Sequence, residues 1–198
     1  MIIDIDLLLS WGASYKNIAM HETVFQEGTE GRVYYQLVSG SISLVNITDK
    51  GGEFIQDIVY PGESFGEFHL FDDSVYSTSA IATKESVVIR LNKSSFLNML
   101  NEHPKIHFAF SKMLTEKLRF KFLLLKELAC FGPEHRISTL FAHFKNTKKN
   151  ICDNCQQIKI TRQQIADMTG LRVETVIRSI RNLHDKGVLV INKGKVYC

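Results

Sequence analysis

The chain of 198 residues has the composition of an ordinary globular protein, with 44% hydrophobic and 23% charged residues. This composition excludes a disordered or fibrous protein, and the length suits two compact domains, since domains of roughly 100 to 150 residues are typical. No run approaches the roughly 18 apolar residues of a membrane helix, and the first residues lack the basic start of a secretion signal. We therefore expect a cytoplasmic protein without a membrane partner, whose four cysteines are reduced thiols.

Charge is distributed unevenly along the chain. Residues 1–103 carry 6 Lys or Arg against 14 Asp or Glu, whereas residues 104–198 carry 18 against 7. A solvated helical surface could account for this excess of basic residues. The alternative is a polyanion-binding domain in the second half, because only the part of a protein that lies near phosphates gains from Lys and Arg.

Short β-branched and aromatic runs separated by turn glycines fill residues 23–91. The glycines recur about every dozen residues, which is typical of an antiparallel sandwich or barrel. The sequence therefore predicts an all-β jelly roll within a sensor domain over residues 1–103. The predicted strands are Val33–Val38, Ser41–Ile47, Phe54–Tyr60 and Val87–Leu91.

A single long helix is predicted from Pro104 to Phe131, because the segment after the proline contains neither Gly nor Pro and repeats its apolar residues with helical spacing. The apolar residues form two stripes, so two faces must be buried. One face can pack on the β domain and the other on a second copy of the helix, as in a two-stranded coiled coil; burial within one chain is the alternative. The stripes are Phe110, Leu114, Leu118, Leu125 and Leu128, and Ile106, Met113, Phe120, Leu124 and Phe131.

The strongest pattern lies in the last part of the chain, in a domain predicted over residues 132–198. Thr161 followed by Gln164 predicts a capping box at the start of a short helix, Arg162–Thr169. Gly170 supplies a left-handed turn residue before a second helix, so the pattern predicts a helix-turn-helix. The segment Lys186–Tyr197 predicts a strand, a glycine turn and a second strand, which would form a wing.

The second of these helices has an apolar face and, opposite it, a face that can enter a major groove about 12 Å wide. On that second face Glu174 can accept a hydrogen bond from cytosine N4, Arg178 can donate two to guanine, and Ile177 can contact a thymine methyl group. An alternative is that Glu174 and Arg178, one turn apart, form only a surface ion pair. The predicted base-reading face consists of Glu174, Ile177, Arg178 and Arg181.

These motifs resemble the family of the cyclic-AMP receptor protein and the fumarate-nitrate reductase regulator, the CRP/FNR family, over nearly the whole chain. The resemblance implies a transcription regulator rather than an enzyme, and a homodimer joined through the long helix. It also implies two recognition helices on a palindromic operator and RNA polymerase as a partner. The motifs that carry it, besides the long helix, are Val33–Ser41, Pro61–Phe71 and Lys159–Ala166.

The resemblance also assigns DNA contacts. Val173 stands where the family has its first base-reading arginine, which is closer to the oxygen-sensor branch and implies a half-site containing TGA. The positions implied to contact phosphate are Thr161, Arg162, Gln163, Arg172 and Thr175.

The same resemblance bears on the effector. Members that bind cyclic AMP have Arg-Ser where this chain has Ser77 and Thr78, so the guanidinium that would neutralise the cyclic phosphate is absent and cyclic AMP is not expected to bind. Lys121 and Phe122 replace small hydroxyl residues that would face adenine, and Gly66 and Glu67 can serve the turn alone. The implied effector pocket is Gly66, Glu67, Ser77, Thr78, Lys121 and Phe122, and no effector or cofactor is named by it.

Cysteines and histidines offer three weaker hypotheses. Cys152 and Cys155 have the spacing of a zinc, iron-sulfur or redox pair, but ordinary thiols are favoured because a metal needs two more ligands. His69 lies next to the axial histidine position of haem-binding relatives, although a lone histidine is more often structural. A cupin-type metalloenzyme would need several converging ligands, whereas His21 and His69 are the only histidines of residues 1–100. The further candidate ligands for the cysteine pair are Cys130, His143 and Cys198.

Overall fold

A computed structural model describes residues 3–47 and 51–198 of the chain. These residues form two compact units, which divide between Glu116 and Lys117. No helix in the two described ranges is both long enough and apolar enough to cross a membrane. The predicted domain boundaries at residues 103 and 131 stay a prediction.

The first unit contains a jelly roll. Its strands are β1 Ser14–Ile18, β2 Thr23–Phe25, β3 Val33–Ser39, β4 Ile42–Ile47, β5 Glu53–Val59, β6 Ser64–Phe65, β7 Ser79–Ala82 and β8 Ser86–Asn92. They form two four-stranded antiparallel sheets with the orders β1-β8-β3-β6 and β2-β7-β4-β5. The all-β prediction is confirmed, and the four predicted runs correspond to β3, β4, β5 and β8. The remaining strands were not predicted, because they are only two to five residues long and too short for a clear alternation; they are β1, β2, β6 and β7.

Aromatic rings fill the core at the helical side of the first unit, where the helices are α1 Ile5–Ser10, α2 His69–Asp72, α3 Lys93–Glu102 and the start of α4 Pro104–Cys130. Tyr34 of β3 stacks on Phe96 of α3 with 4.4 Å between ring centroids, and Phe110 of α4 lies 5.3 Å from Phe96. All three side chains are 0% exposed. Burial of each stabilises the fold by about 1.5 to 3 kcal/mol, so these rings anchor the first turns of α4.

The second unit contains the rest of α4 and a small helical domain. Its further elements are α5 Pro133–Thr147, α6 Arg162–Thr169, α7 Val173–Asp185, β9 Val190–Asn192 and β10 Lys195–Tyr197. The long helix ends at Cys130, one residue before the predicted end at Phe131. Arg136 donates hydrogen bonds to the carbonyl oxygens of Leu128 and Phe131, which helix geometry leaves without partners.

Glu134 ties α5 to α7. Its carboxylate accepts hydrogen bonds from Asn182 Nδ2 at 2.9 Å and from Lys186 Nζ at 2.6 Å. The hydrogen bond from Lys186, followed by that from Asn182, holds the pKa of Glu134 below its usual range. These contacts, together with the packing of Ile137 and Leu140 of α5 in the core, fix the position from which α7 is presented.

Candidate nucleic-acid interface

The helix-turn-helix forms as the sequence predicts. Thr161 Oγ1 accepts a hydrogen bond from the Gln164 amide at 3.1 Å, and Gln164 Oε1 accepts one from the Thr161 amide at 2.9 Å. This capping box satisfies two backbone donors at the start of α6. Gly170 ends the helix in the left-handed region, with φ of 65°, and thereby turns the chain into α7.

Helix α7 is divided sharply into a buried and an exposed face. Val176 and Ile180 are 0% and 1% exposed. Helix α7 packs on α6, whose Ile165 and Met168 are also buried. The opposite face is exposed. Its members are the predicted base-reading residues Glu174, Ile177, Arg178 and Arg181, all of them exposed.

Glu174 and Arg178 lie one turn apart on α7, but the surface ion pair considered as an alternative is not formed between them in the described part of the chain. The guanidinium of Arg178 and the carboxylate of Glu174 are therefore both available to external groups. A planar guanidinium on a helix face can donate two parallel hydrogen bonds to a guanine edge, which a surface ion pair would prevent.

The residues predicted to contact phosphate differ in their exposure and in their hydrogen bonds. Arg172 is exposed at the N-terminal cap of α7, whereas Thr175 is half-buried. Val173, at the position of the family's first base-reading arginine, is half-buried as well. Gln163 donates a hydrogen bond to Asp167 at 2.8 Å. Thr161 is exposed, although its hydroxyl oxygen is occupied by the capping box.

Arg162 links α6 to the wing. Its Nη2 donates a hydrogen bond to the Gly194 carbonyl oxygen at 3.2 Å, in the turn between β9 and β10. Burial lowers the pKa of this guanidinium, although arginine side chains keep their charge in proteins. The contact fixes the wing turn next to the start of the helix-turn-helix.

The wing contains two basic residues that were not among the predicted DNA contacts. Strands β9 and β10 pair in antiparallel register, and the turn between them uses Lys193 and Gly194 with φ of 46° and 77°. Lys193 and Lys195 are both exposed. The sequence does contain a signal for this feature, since Lys193 and Lys195 flank the turn residue Gly194. An exposed basic turn of this kind can contact a phosphate backbone.

The predicted effector residues of the first unit lie around a packed aromatic cluster. Gly66 has φ of 66°, and a Cβ atom there would come within 2.6 Å of the Phe25 ring and 3.2 Å of Tyr76. Phe25 and Tyr76 are stacked with 3.8 Å between ring centroids. Burial is the main cause that raises the pKa of Tyr76, with Tyr35 adding to it. Glu67 is buried and Thr78 is half-buried.

Ser77 lies in an electrostatic environment unlike that of a phosphate site. Its carbonyl oxygen accepts a hydrogen bond from Asn46 Nδ2 at 2.8 Å, and the same amide donates to Glu27 Oε1 at 2.9 Å. The Glu27 carboxylate therefore lies close to Ser77, because both accept hydrogen bonds from the same Asn46 amide. The remaining two predicted residues belong to α4 in the second unit, where Lys121 is half-buried and Phe122 is 63% exposed.

A cleft of about 680 Å³ in the first unit has a different lining from the predicted effector pocket. Its walls come from the loop before β3, the loop after α2 and the start of α3. None of the predicted effector residues lines it. The lining residues are Glu30, Gly31, Arg32, Asp73, Ser74, Asn92, Lys93, Ser94 and Leu97.

His69 is enclosed by protein. It is 1% exposed, its ring centroid lies 4.3 Å from that of Tyr76, and the backbone of Gly31 packs directly against the ring. Burial lowers its pKa more than a hydrogen bond with the backbone of Val33 raises it. This environment favours the structural interpretation of His69 over a ligand role.

The cysteine pair lies in a turn of the second unit. Cys152 is half-buried and Cys155 is exposed. Within residues 3–47 and 51–198, no group of three or more His, Cys, Asp or Glu side chains is arranged to hold a metal ion. The other candidate ligands are spread out: Cys130 is exposed on α4, the His143 ring stacks on Phe120, and Cys198 ends the chain after β10.

Comparison with known proteins matches both units. Residues 15–103 match the family model for the cyclic nucleotide-binding domain, and residues 135–197 match that for the Crp-like helix-turn-helix domain. The chain is 26% identical over 189 residues to the cAMP-activated global transcriptional regulator CRP of Haemophilus influenzae, which covers 93% of this chain and 84% of that protein. It is also 26% identical to the cyclic AMP receptor protein of Thermus thermophilus, covering 98% of this chain and 87% of that protein.

Solved structures share the fold. The c-di-GMP responsive global regulator CLP of Xanthomonas campestris superposes with a TM-score of 0.78 at 19% identity, covering 98% of this chain and 96% of that one. A CooA mutant from Carboxydothermus hydrogenoformans superposes with a TM-score of 0.80 at 15% identity, covering 97% and 85% of the two chains. At these identities the likeness concerns the fold alone.

Proposed function

Because the chain belongs to the CRP/FNR family of transcription regulators, we propose that it acts as a homodimer that binds a palindromic operator through two copies of α7. The observation that carries this proposal is the division of α7, whose buried face packs on α6 while Glu174, Ile177 and Arg178 remain exposed together. A helix held in this way can enter the major groove with its polar face against the base edges.

The chemistry of the exposed face fits a half-site containing TGA. The two strands of that triplet present a guanine, a cytosine and thymine methyl groups. Arg178 can donate to guanine O6 and N7, Glu174 can accept from cytosine N4, and Ile177 can contact a methyl group. Arg181, Arg172 and the wing lysines supply positive charge for the flanking phosphates.

The exposed face of α4 supports the homodimer. Leu118, Phe122 and Leu125 are 55%, 63% and 62% exposed, and with Ala129 they follow the alternating spacing of three and four residues that defines a coiled-coil seam. The opposite side of this part of α4 is occupied within its own unit, where the buried Glu127 is hydrogen-bonded to His135. Large apolar side chains left in water on one face favour association, and a second α4 would cover them.

Cyclic AMP is not the proposed effector. Ser77 offers no cation to the cyclic phosphate, and the Glu27 carboxylate that shares Asn46 with it would repel that anion. The enclosed rings of Phe25 and Tyr76 against Gly66 further restrict the space at this end of the barrel. By family resemblance, RNA polymerase is proposed as the protein partner on promoter DNA.

Cyclic AMP at about 1 mM is therefore expected to leave the Tm of the full-length protein unchanged. A ligand at about 100 times its Kd would stabilise the fold by roughly 2.7 kcal/mol and raise the Tm by several degrees, which thermal shift measurements resolve easily. The Haemophilus influenzae regulator, a cAMP-activated relative, serves as the positive control. A rise in Tm of several degrees for this protein would disprove the proposal about the effector.

Selection from random duplex DNA tests the proposed function as a whole. The full-length protein is expected to enrich a palindrome of two TGA-containing half-sites whose centres lie about one helical turn, 10 to 10.5 base pairs, apart. Sedimentation of the enriched complex should give two protein chains per duplex. Enrichment of a single unrepeated motif, or of no motif, would contradict the palindromic operator.

A further inference from the structure

The loop between α5 and α6 contains a closed turn that includes two cysteines, Cys152 and Cys155. Ile151 and Ile158 form an antiparallel bridge, and both are buried. Beyond this bridge the Cys152 amide donates to the Gln157 carbonyl oxygen at 2.8 Å, and the Gln156 amide donates to the Cys152 carbonyl oxygen at 2.8 Å. The second hydrogen bond closes a single helix-like turn over residues 152–156.

This turn brings the two thiols together. Residues three apart on a helical turn have Cβ atoms about 5 to 6 Å apart. A disulfide needs the Cβ atoms of its two cysteines at roughly 3.5 to 4.5 Å, so joining Cys152 and Cys155 requires the turn to tighten by about 1 to 2 Å. The free cysteines are accessible, Cys152 in part and Cys155 fully.

The turn also activates one of the two sulfur atoms. A hydrogen bond from the Cys155 backbone, followed by those from the Cys155 side chain and the Asn154 backbone, lowers the pKa of Cys152, and the nearby Lys159 adds to this effect. A thiol with a lowered pKa is the reactive nucleophile of a pair. By contrast, burial raises the pKa of the Cys198 thiol.

The cysteine turn is hydrogen-bonded to the wing. The Ile158 amide donates to the Val196 carbonyl oxygen of β10 at 2.9 Å, and the Cys198 amide donates to the Gln156 carbonyl oxygen at 3.2 Å. The turn between β9 and β10 is also linked to α6, because Arg162 donates a hydrogen bond to the Gly194 carbonyl oxygen. A change in the backbone of residues 152–157 therefore acts directly on the strand that positions the wing.

We propose that Cys152 and Cys155 form a peroxide-reactive dithiol site whose oxidation to a disulfide loosens the wing and lowers affinity for DNA. The effect on DNA affinity rests on the proposed function, whereas the dithiol site itself does not. A metal ion is a poorer fit for the pair, because no third ligand accompanies it among the described residues.

The chemistry balances with a peroxide as the only oxidant. The Cys152 thiolate attacks one oxygen of hydrogen peroxide, the O–O bond breaks, and the departing hydroxide takes a proton to leave as water. The Cys155 sulfur then attacks the sulfenic sulfur of Cys152, the S–S bond forms, and the hydroxyl group leaves with the Cys155 proton as a second water. Two electrons pass from the two sulfur atoms to the peroxide.

Intact-mass spectrometry of the full chain tests the site. When reduced protein is treated with stoichiometric hydrogen peroxide and then alkylated, two of its four thiols are expected to be alkylated. Without alkylation it should lose about 2 Da, with one linked peptide containing both cysteines. Cys130→Ser is the matched control and should behave as the wild type. Cys152→Ser and Cys155→Ser should abolish the mass loss, and its persistence in either would overturn the proposal.

Hydrogen exchange tests the consequence for the wing without requiring DNA. Oxidation is expected to accelerate exchange at least about tenfold in peptides that contain Ile158 and Val196, and dithiothreitol should restore the slow rate. Binding to the selected operator should weaken about tenfold in parallel. Unchanged exchange after quantitative disulfide formation would overturn the proposal. If the reduced protein selects no operator, the proposed function fails while the mass and exchange results still decide the dithiol site.

Discussion

The double substitution Leu118→Asp with Leu125→Asp is expected to convert the protein into a monomer that no longer binds its palindromic operator tightly. Both side chains are more than half exposed, at 55% and 62%, so each protomer should keep its fold. In the proposed dimer they would lie in an apolar seam, where an unpaired carboxylate costs several kcal/mol. Size-exclusion chromatography with light scattering should report the mass of one chain.

Operator affinity should fall about 100-fold or more in this variant, because joining two binding modules raises avidity by 10² to 10⁴. The matched control is Met20→Asp, which introduces the same charge at an apolar side chain with similar exposure, 54%, in the turn before β2. That control should remain dimeric. A wild-type monomer, or a variant that stays a dimer with an unchanged Tm, would contradict the proposed seam on α4.

The helix-turn-helix could be predicted from sequence because its determinants are local. Thr161 and Gln164 define the start of α6 within four residues, and Gly170 adopts the left-handed conformation that its lack of a Cβ atom permits. The helical periodicity of this segment then separated its apolar face from the face that carries Arg178, without knowledge of any distant contact. Each of these features depends on spacing along the chain alone.

The long helix shows where periodicity stops being sufficient. The predicted stripe grouped Phe110 with Leu118 and Leu125, and these residues do lie in a similar angular sector. In the structure Phe110 is 0% exposed among aromatic rings, whereas Leu118 and Leu125 are exposed together with Phe122. A repeat of apolar residues indicates that a face will be covered, but it does not identify the partner that covers it.

Other features depend on hydrogen bonds between residues that are far apart in the sequence. Two hydrogen bonds, from the Ile158 amide to Val196 and from the Cys198 amide to Gln156, join segments about 40 residues apart in sequence, and no local pattern indicates them. The same holds for Asn46, whose amide places Glu27 beside the Ser77 carbonyl. The charge around the effector region therefore became clear only in the folded chain.

Arg178→Ala is expected to weaken binding to the selected operator by about 10- to 100-fold, because a bidentate contact to guanine contributes roughly 1 to 3 kcal/mol. Arg178 is exposed on α7 and has no ion-pair partner among the described residues, so its loss should leave the Tm nearly unchanged. Fluorescence anisotropy at fixed salt, with the operator and with a duplex whose half-site guanines are replaced, measures both affinity and specificity. The wild type should discriminate between these duplexes, and the variant should not.

Two further variants separate base reading from simple charge. Arg32→Ala removes one positive charge from a side chain that is 80% exposed in the first unit, and it should leave operator affinity unchanged. Arg178→Lys keeps the charge but loses the planar pair of donors, so it should bind nearly as poorly as the alanine variant. If Arg178→Lys instead binds and discriminates like the wild type, Arg178 contacts phosphate rather than guanine. The base-reading role would then fall to Glu174 and Arg181.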